Sequence, residues 1–208
     1  MRSRIAGGCD FAHDPGLTAN DGAVFWAPRL YPNAIALKPV TEPEGPFSML
    51  FDLGGVSGLV FRAAEDGWHA VWTDAGIAHQ IWLRDAPPSE TALYEAAVLY
   101  DACMELRAHA ARRFWRALVD RPPGRDFRVM PIQLRRSHVL ALRVVDARND
   151  GASYRTIAEV LFGFIGSKMD WENDWRKNKV RRALALGRSM VQGGYRSLLY
   201  YPLKIGRK

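Results

Sequence analysis

LRRSHVLALRVVDARNDGASYRTIAEVLFGFIGSKMDWENDWRKNKVRRALALGRSMVQGGYRSLL, residues 134–199, decides how this chain is read. An apolar helical pattern on Leu140, Ala141, Val144 and Val145 ends at Asn149-Asp150-Gly151, where a glycine can take the positive φ that closes a helix. Ser153 is placed to cap a second, short helix, which carries Ile157, Ala158, Leu161 and Phe162 and stops at Gly163. After a loop, a third helix bears Arg176, Lys177, Lys179, Arg181, Arg182 and Arg188 and ends at Gly193-Gly194. On this helix Val180, Leu184, Gly187 and Val191 recur along one narrow side, and Lys177, Asn178, Arg181, Arg182 and Arg188 project elsewhere. Such a helix packs one side on protein and offers Arg and Asn to base edges and Lys to phosphates. Helix, turn, short helix, loop and basic helix is the order of a helix-turn-helix DNA reader. The same basic face could simply be solvated, so charge elsewhere in the chain matters.

Residues 1–100 hold 6 Lys/Arg and 12 Asp/Glu, a net of −6. Residues 101–208 hold 23 Lys/Arg and 10 Asp/Glu, a net of +13, which completes the overall +7. This asymmetry points to a polyanion partner for the second half. Nucleic acid fits, because each cation placed on a phosphate releases condensed counterions. A membrane surface fits poorly: the basic helix lacks a bulky Trp/Phe/Leu face, and no apolar run approaches the ~18 residues that span a bilayer. MRSRIAGGCDFAHD at the start has no apolar core and does not read as a secretory signal. Cys9 and Cys103 are far apart in different contexts, so a reducing, cytoplasmic setting is the simpler expectation.

The 48% hydrophobic and 11% aromatic content is enough for a buried core. Residues 1–22 read as an irregular lead-in. Strand-like segments follow at Val24–Ala27, Ala34–Val40, Ser48–Leu53, Gly58–Ala63, Trp68–Thr73 and Ile77–Leu83. Asp66-Gly67 and Asp74-Ala75-Gly76 are hairpin signals, which predicts a mostly antiparallel meander. Ser89, after Pro87-Pro88, predicts a long helix reaching about Val119, with Leu93, Ala96, Ala97, Tyr100, Cys103 and Met104 at helical spacing. Arg121-Pro122-Pro123-Gly124-Arg125 ends it and reads as an interdomain linker. The expected fold class is α+β: an antiparallel strand-rich N-terminal part, a long connecting helix and a C-terminal helix-turn-helix unit. The expected domains are 1–120, acidic and suited to oligomerisation or partner binding, and 126–208, basic and DNA-binding.

Catalytic chemistry is thin. Gly54-Gly55-Val56-Ser57-Gly58 lacks the Gly-Lys-Ser/Thr ending of a phosphate loop and reads as a turn. His13, His69, His79, His109 and His138 show no metal-ligand spacing; His69 and His79 could be neighbours across adjacent strands, but they read as ordinary sheet residues. Trp26, Trp68, Trp72 and Trp82 could bind a ligand or partner, but sheet packing is the plainer use. No nucleophile-base grouping stands out, so neither an enzyme nor a cofactor or metal is expected.

The run Leu140-Ala141-Leu142-Arg143, Asp146-Ala147-Arg148, Gly151-Ala152-Ser153-Tyr154-Arg155, Ile157-Ala158 and Leu161-Phe162-Gly163 resembles the RovC-like family of DNA-binding domains. Val180-Arg181-Arg182, Gly187-Arg188, Gly193-Gly194-Tyr195-Arg196 and Leu198-Leu199 resemble its C-terminal signature, and Phe25-Trp26 and Ala36-Leu37 carry a weaker likeness. The resemblance implies a bacterial transcription factor of the kind that activates type VI secretion or conjugative-element transfer. It also implies that longer members carry a small helical domain upstream, a possible separate partner for a chain that starts after it.

The function expected is therefore sequence-specific double-stranded DNA binding that controls transcription, as a homo-oligomer, in the cytoplasm on DNA. The alternative is a regulatory module that binds another transcription factor through its sheet. The residues expected to meet DNA are Tyr154, Arg155, Lys168, Arg176, Lys177, Asn178, Lys179, Arg181, Arg182, Arg188 and Arg196.

Overall fold

The computed structural model describes residues 22–40, 45–85, 87 and 91–204. They form two compact units, one running to Asp126 and taking in the chain again from Leu203, the other spanning Phe127–Pro202. The fold is α+β: a five-stranded mixed sheet in the N-terminal part, then helices.

The first unit holds β1 (Ala34–Val40), β2 (Val60–Ala64), β3 (Gly67–Asp74), β4 (Ile77–Leu83), β5 (Leu93–Ala97) and helix α1 (Met104–Leu118). The strand order is β2-β3-β4-β1-β5. Both hairpin signals are met, since β2–β3 and β3–β4 are antiparallel pairs closed by those turns. β1 and β4 have the bounds that the apolar pattern predicts.

Three expectations are corrected. The sheet is mostly antiparallel, as expected, but it is mixed rather than a meander throughout, because β1 lies parallel to β4. Val24–Ala27 and Ser48–Leu53 are not strands; each contributes one bridge residue, Trp26 and Phe51. The long helix does not start near Ser89, which lies outside the described residues. Leu93–Ala97 is instead β5, paired antiparallel with the open edge of β1 from Ala36↔Ala97 to Val40↔Leu93, and α1 begins only at Met104. Leu93, Ala96 and Ala97 have helical spacing, but a free sheet edge offers their backbone a complete ladder, and this tertiary pairing overrides a weak local preference. Tyr100 is accordingly 92% exposed, and Cys103 sits buried just before the helix rather than on its face. Burial, aided by the Asp101 carboxylate, pushes the Cys103 thiol up.

One face of the sheet packs on α1. Ile35, Leu37, Ala70, Ile81 and Leu83 meet Leu53, Ala110 and Phe114, with Trp68 and Trp72 at the edge of this core. Phe114 stands edge-on to Trp72, ring centres 6.1 Å apart. Fully buried side chains such as Ile81 and Leu83 each contribute about 1.5–3 kcal/mol. The opposite face is partly covered by the lead-in around Phe25–Ala27, where the Gln80 side chain accepts from the Trp26 N–H and donates to its carbonyl. His69 and His79 are not neighbours: His69 pairs with Trp82 and His79 with Trp72, and this register puts them on opposite faces. Gly54-Gly55 lies in a turn in which the Asp52 carboxylate accepts from the Gly55 N–H.

After α1 the chain folds back along the helix. Arg116 donates to the Pro122 carbonyl, and Asp126 receives the Arg113 guanidinium at 2.6 Å and lies 3.2 Å from His109 Nε2.

The second unit is helical: α2 (Ile132–Asn149), α3 (Tyr154–Phe162), α4 (Lys168–Glu172), α5 (Trp175–Ser189) and α6 (Arg196–Leu199). α2 packs on α5, and α3 closes the core of Val144, Val145, Ile157, Ala158, Phe164, Val180 and Leu184. The punctuation read from sequence is met. Gly151, at φ 88°, turns the chain out of α2; the Ser153 hydroxyl accepts from the Thr156 N–H; α3 ends at Gly163 in the left-handed region. The short α4 interrupts what the sequence reads as a loop. Its signal is a capping box in which Ser167 and Asp170 satisfy each other's backbone N–H groups.

Candidate nucleic-acid interface

The side of α5 that faces the core is made by Val180, Leu184 and Gly187, all buried. Gly187 permits the close crossing, because a Cβ there would lie 2.4 Å from the Ala141 carbonyl oxygen and 2.5 Å from a Val145 methyl. Val191 does not join this side. α5 ends at Ser189, the chain enters a widened turn at Met190–Gly194 broken by Gly193 at φ 107°, and Val191 is 63% exposed.

Asn178, Arg181, Arg182, Ala185, Arg188 and Ser189 are all exposed. At ~100° per residue they share about 120° of arc, opposite the packed side. Arg181, Arg182 and Arg188 have no ion pair or hydrogen bond among the described residues. Ala185 lies in the middle of this arc. The surface is a small-residue centre flanked by free guanidinium forks and one carboxamide, groups suited to bidentate contact with base edges and phosphates.

The other expected contacts divide into two sets. Lys168 and Arg196 are exposed and without a partner among the described residues, at the starts of α4 and α6. Tyr154, Arg155, Arg176, Lys177 and Lys179 are half-buried and engaged inside the unit. Tyr154 lies beneath the Arg148 guanidinium at 5.0 Å. Arg155 pairs with Glu159 at 2.8 Å, donates to the Gly166 carbonyl and lies over Phe164. Arg176 pairs with Asp174 at 2.9 Å, donates to the Phe162 carbonyl and lies over Trp175. Lys179 rests 4.4 Å over Phe162 and 5.2 Å over Trp175, and Lys177 reaches the Glu172 carbonyl at 3.5 Å. Arg176 and Lys179 fasten the first turns of α5 to the end of α3, and Lys177 ties them to the end of α4.

Sequence reasoning missed that anchoring platform of Phe162 and Trp175. It also missed Arg135, Arg136 and Arg143, exposed on α2 with no partner among the described residues. Their signal was available: the seven-residue spacing of Arg136 and Arg143 puts both on one helix face, away from Ala141, Val144 and Val145.

No curated protein matches the chain. A family model does, over residues 98–200, which take in α1 and nearly all of the second unit; it is described as the DNA-binding domain of RovC, a type VI secretion transcription factor. Over those residues, the chain belongs to the family of RovC-type transcription-factor DNA-binding domains.

Proposed function

We propose that this protein is a sequence-specific double-stranded DNA-binding regulator of transcription, an activator, and not an enzyme. α3 and α5 act as the two helices of a helix-turn-helix, with the exposed face of α5 entering the major groove. Arg181 and Arg182, in mid-helix, read base edges, with Asn178 one turn before them. Arg188, Lys168 and Arg196 hold phosphates. Arg176 and Lys179 act from behind by fixing the reading helix. The first unit serves assembly into a homo-oligomer or contact with a partner such as a small helical domain encoded upstream. The protein works in the cytoplasm, on DNA. The observation that carries this reading is the unpaired state of Arg181, Arg182 and Arg188 around Ala185, in a helix whose other cations are all engaged.

Selection of bound sequences from a random duplex library by the full chain tests the reading. Enrichment of a defined motif is the expected result, lost when Arg181 and Arg182 are both changed to Ala. Recovery of unenriched DNA would leave only a non-specific polyanion binder, and no retention of DNA would remove the proposal.

A further inference from the structure

Only one face of the sheet in the first unit is closed by α1. On the other, Trp82, Ala36 and Ala97 stand side by side in one row across β4, β1 and β5, with Ala34 one step along β1. The lead-in covers this face at Ala27 and then departs through Pro28 and Arg29. Where it departs a cavity of about 460 Å³ opens, floored by the alanines and walled by Trp82. That volume is within the ~300–1,000 Å³ range of small-molecule sites.

The cavity's charges are not all spent on each other. Lys38 is matched by Glu95 at 3.9 Å and Arg107 by Asp101 at 3.0 Å, and the Asp66 carboxylate is hydrogen-bonded to the buried His69 ring at 2.9 Å. Arg29, Arg84 and Asp85, also lining it, have no ion-pair partner among the described residues. Arg84 is held by an aromatic ring instead: its guanidinium lies 4.9 Å over Trp82. Its N–H donors remain available to an anion. The Trp82 indole is itself fixed, its Nε1–H donating to the Asp66 carbonyl at 3.0 Å.

We propose that this cavity binds a small aromatic carboxylate, its ring on the alanine floor beside Trp82 and its carboxylate at Arg84 and Arg29. The apolar floor supplies the burial, and the guanidinium forks supply two-point recognition of the anion. Arg107, which also lines the cavity, belongs to α1, whose His109 and Arg113 hold Asp126 at the end of the unit.

The test uses the full chain without DNA, so its outcome is independent of the reading proposed for α5. Salicylate, its neutral amide and acetate are titrated by calorimetry and by ligand-observed NMR. Salicylate is expected to saturate one site at millimolar concentration or below, with the amide and acetate each at least about tenfold weaker. Arg84→Gln, an exposed position, is expected to weaken salicylate about tenfold without moving the thermal transition. Ala36→Leu, which fills the floor, should abolish binding in a chain that still unfolds cooperatively. Absence of saturable salicylate binding overturns the proposal. So does equal affinity for the amide, or unchanged affinity in Arg84→Gln.

Discussion

Two kinds of arginine meet on α5, and they should fail differently. Arg181 and Arg182 have no partner to lose, so their removal should leave stability nearly unchanged. On a selected site, Arg181→Ala or Arg182→Ala is expected to cost about 1–3 kcal/mol and to relax base preference, read by competition with single-base variants. Arg176 is tied to Asp174, the Phe162 carbonyl and the Trp175 ring. Arg176→Ala should therefore lower the melting temperature and weaken specific and random DNA in equal proportion. Base-selective loss in Arg176→Ala, or equal loss on both DNAs in the other two, would reverse the assignment. Gly187→Ala is a third case. A Cβ 2.4 Å from a backbone oxygen cannot be absorbed by side-chain motion, and an overpacking cost of about 1–3 kcal/mol should appear in chemical denaturation. An unchanged midpoint would show that α2 and α5 do not cross there.

At the scale of elements, the sequence was most legible where the signal is local. Ser153 and Gly163 bound α3, Gly151 closes α2, and β1 and β4 follow their apolar runs, because caps, turns and alternation act within a few residues. It was least legible where a distant partner decides. Leu93–Ala97 becomes a strand only because β1 has an unfilled edge, and the parallel β1–β4 pairing is set by packing that no local window contains. The candidate site divides the same way. The helical period placed Arg181, Arg182 and Arg188 on the exposed face, and Arg155–Glu159 and Trp175–Lys179 are local i,i+4 pairs, but the contacts of Arg155 with Phe164 and Gly166 and of Arg176 and Lys179 with Phe162 depend on separate segments brought together by the fold. One local element carries a pH dependence. The Ser167 hydroxyl, then the Ser167 N–H, holds the Asp170 carboxyl below the usual carboxylate range. A depressed folded value means the α4 cap is present above that range and is lost as pH falls through the depressed value. Amide exchange in Lys168–Glu172 should accelerate in acid before that of α5, and Asp170→Asn should remove the pH step. A step that survives Asp170→Asn would place its origin elsewhere.

Across the whole molecule, the acidic and basic halves differ by 19 charges, from −6 to +13. A net −6 segment repels phosphate, whereas the second unit carries three free arginines on α5 and three more on α2. The direct measurement is the affinity of the full chain for duplex DNA across a salt series. If about six cations meet phosphates, log affinity should fall against log salt with a slope of roughly −5. Changing Arg181, Arg182 and Arg188 together to Ala should make that slope shallower by about 0.9, the share of the phosphate that Arg188 holds, and should remove the preference for the selected site. A slope near zero, or one that the triple variant leaves untouched, would contradict the claim that the exposed face of α5 is the DNA-binding surface.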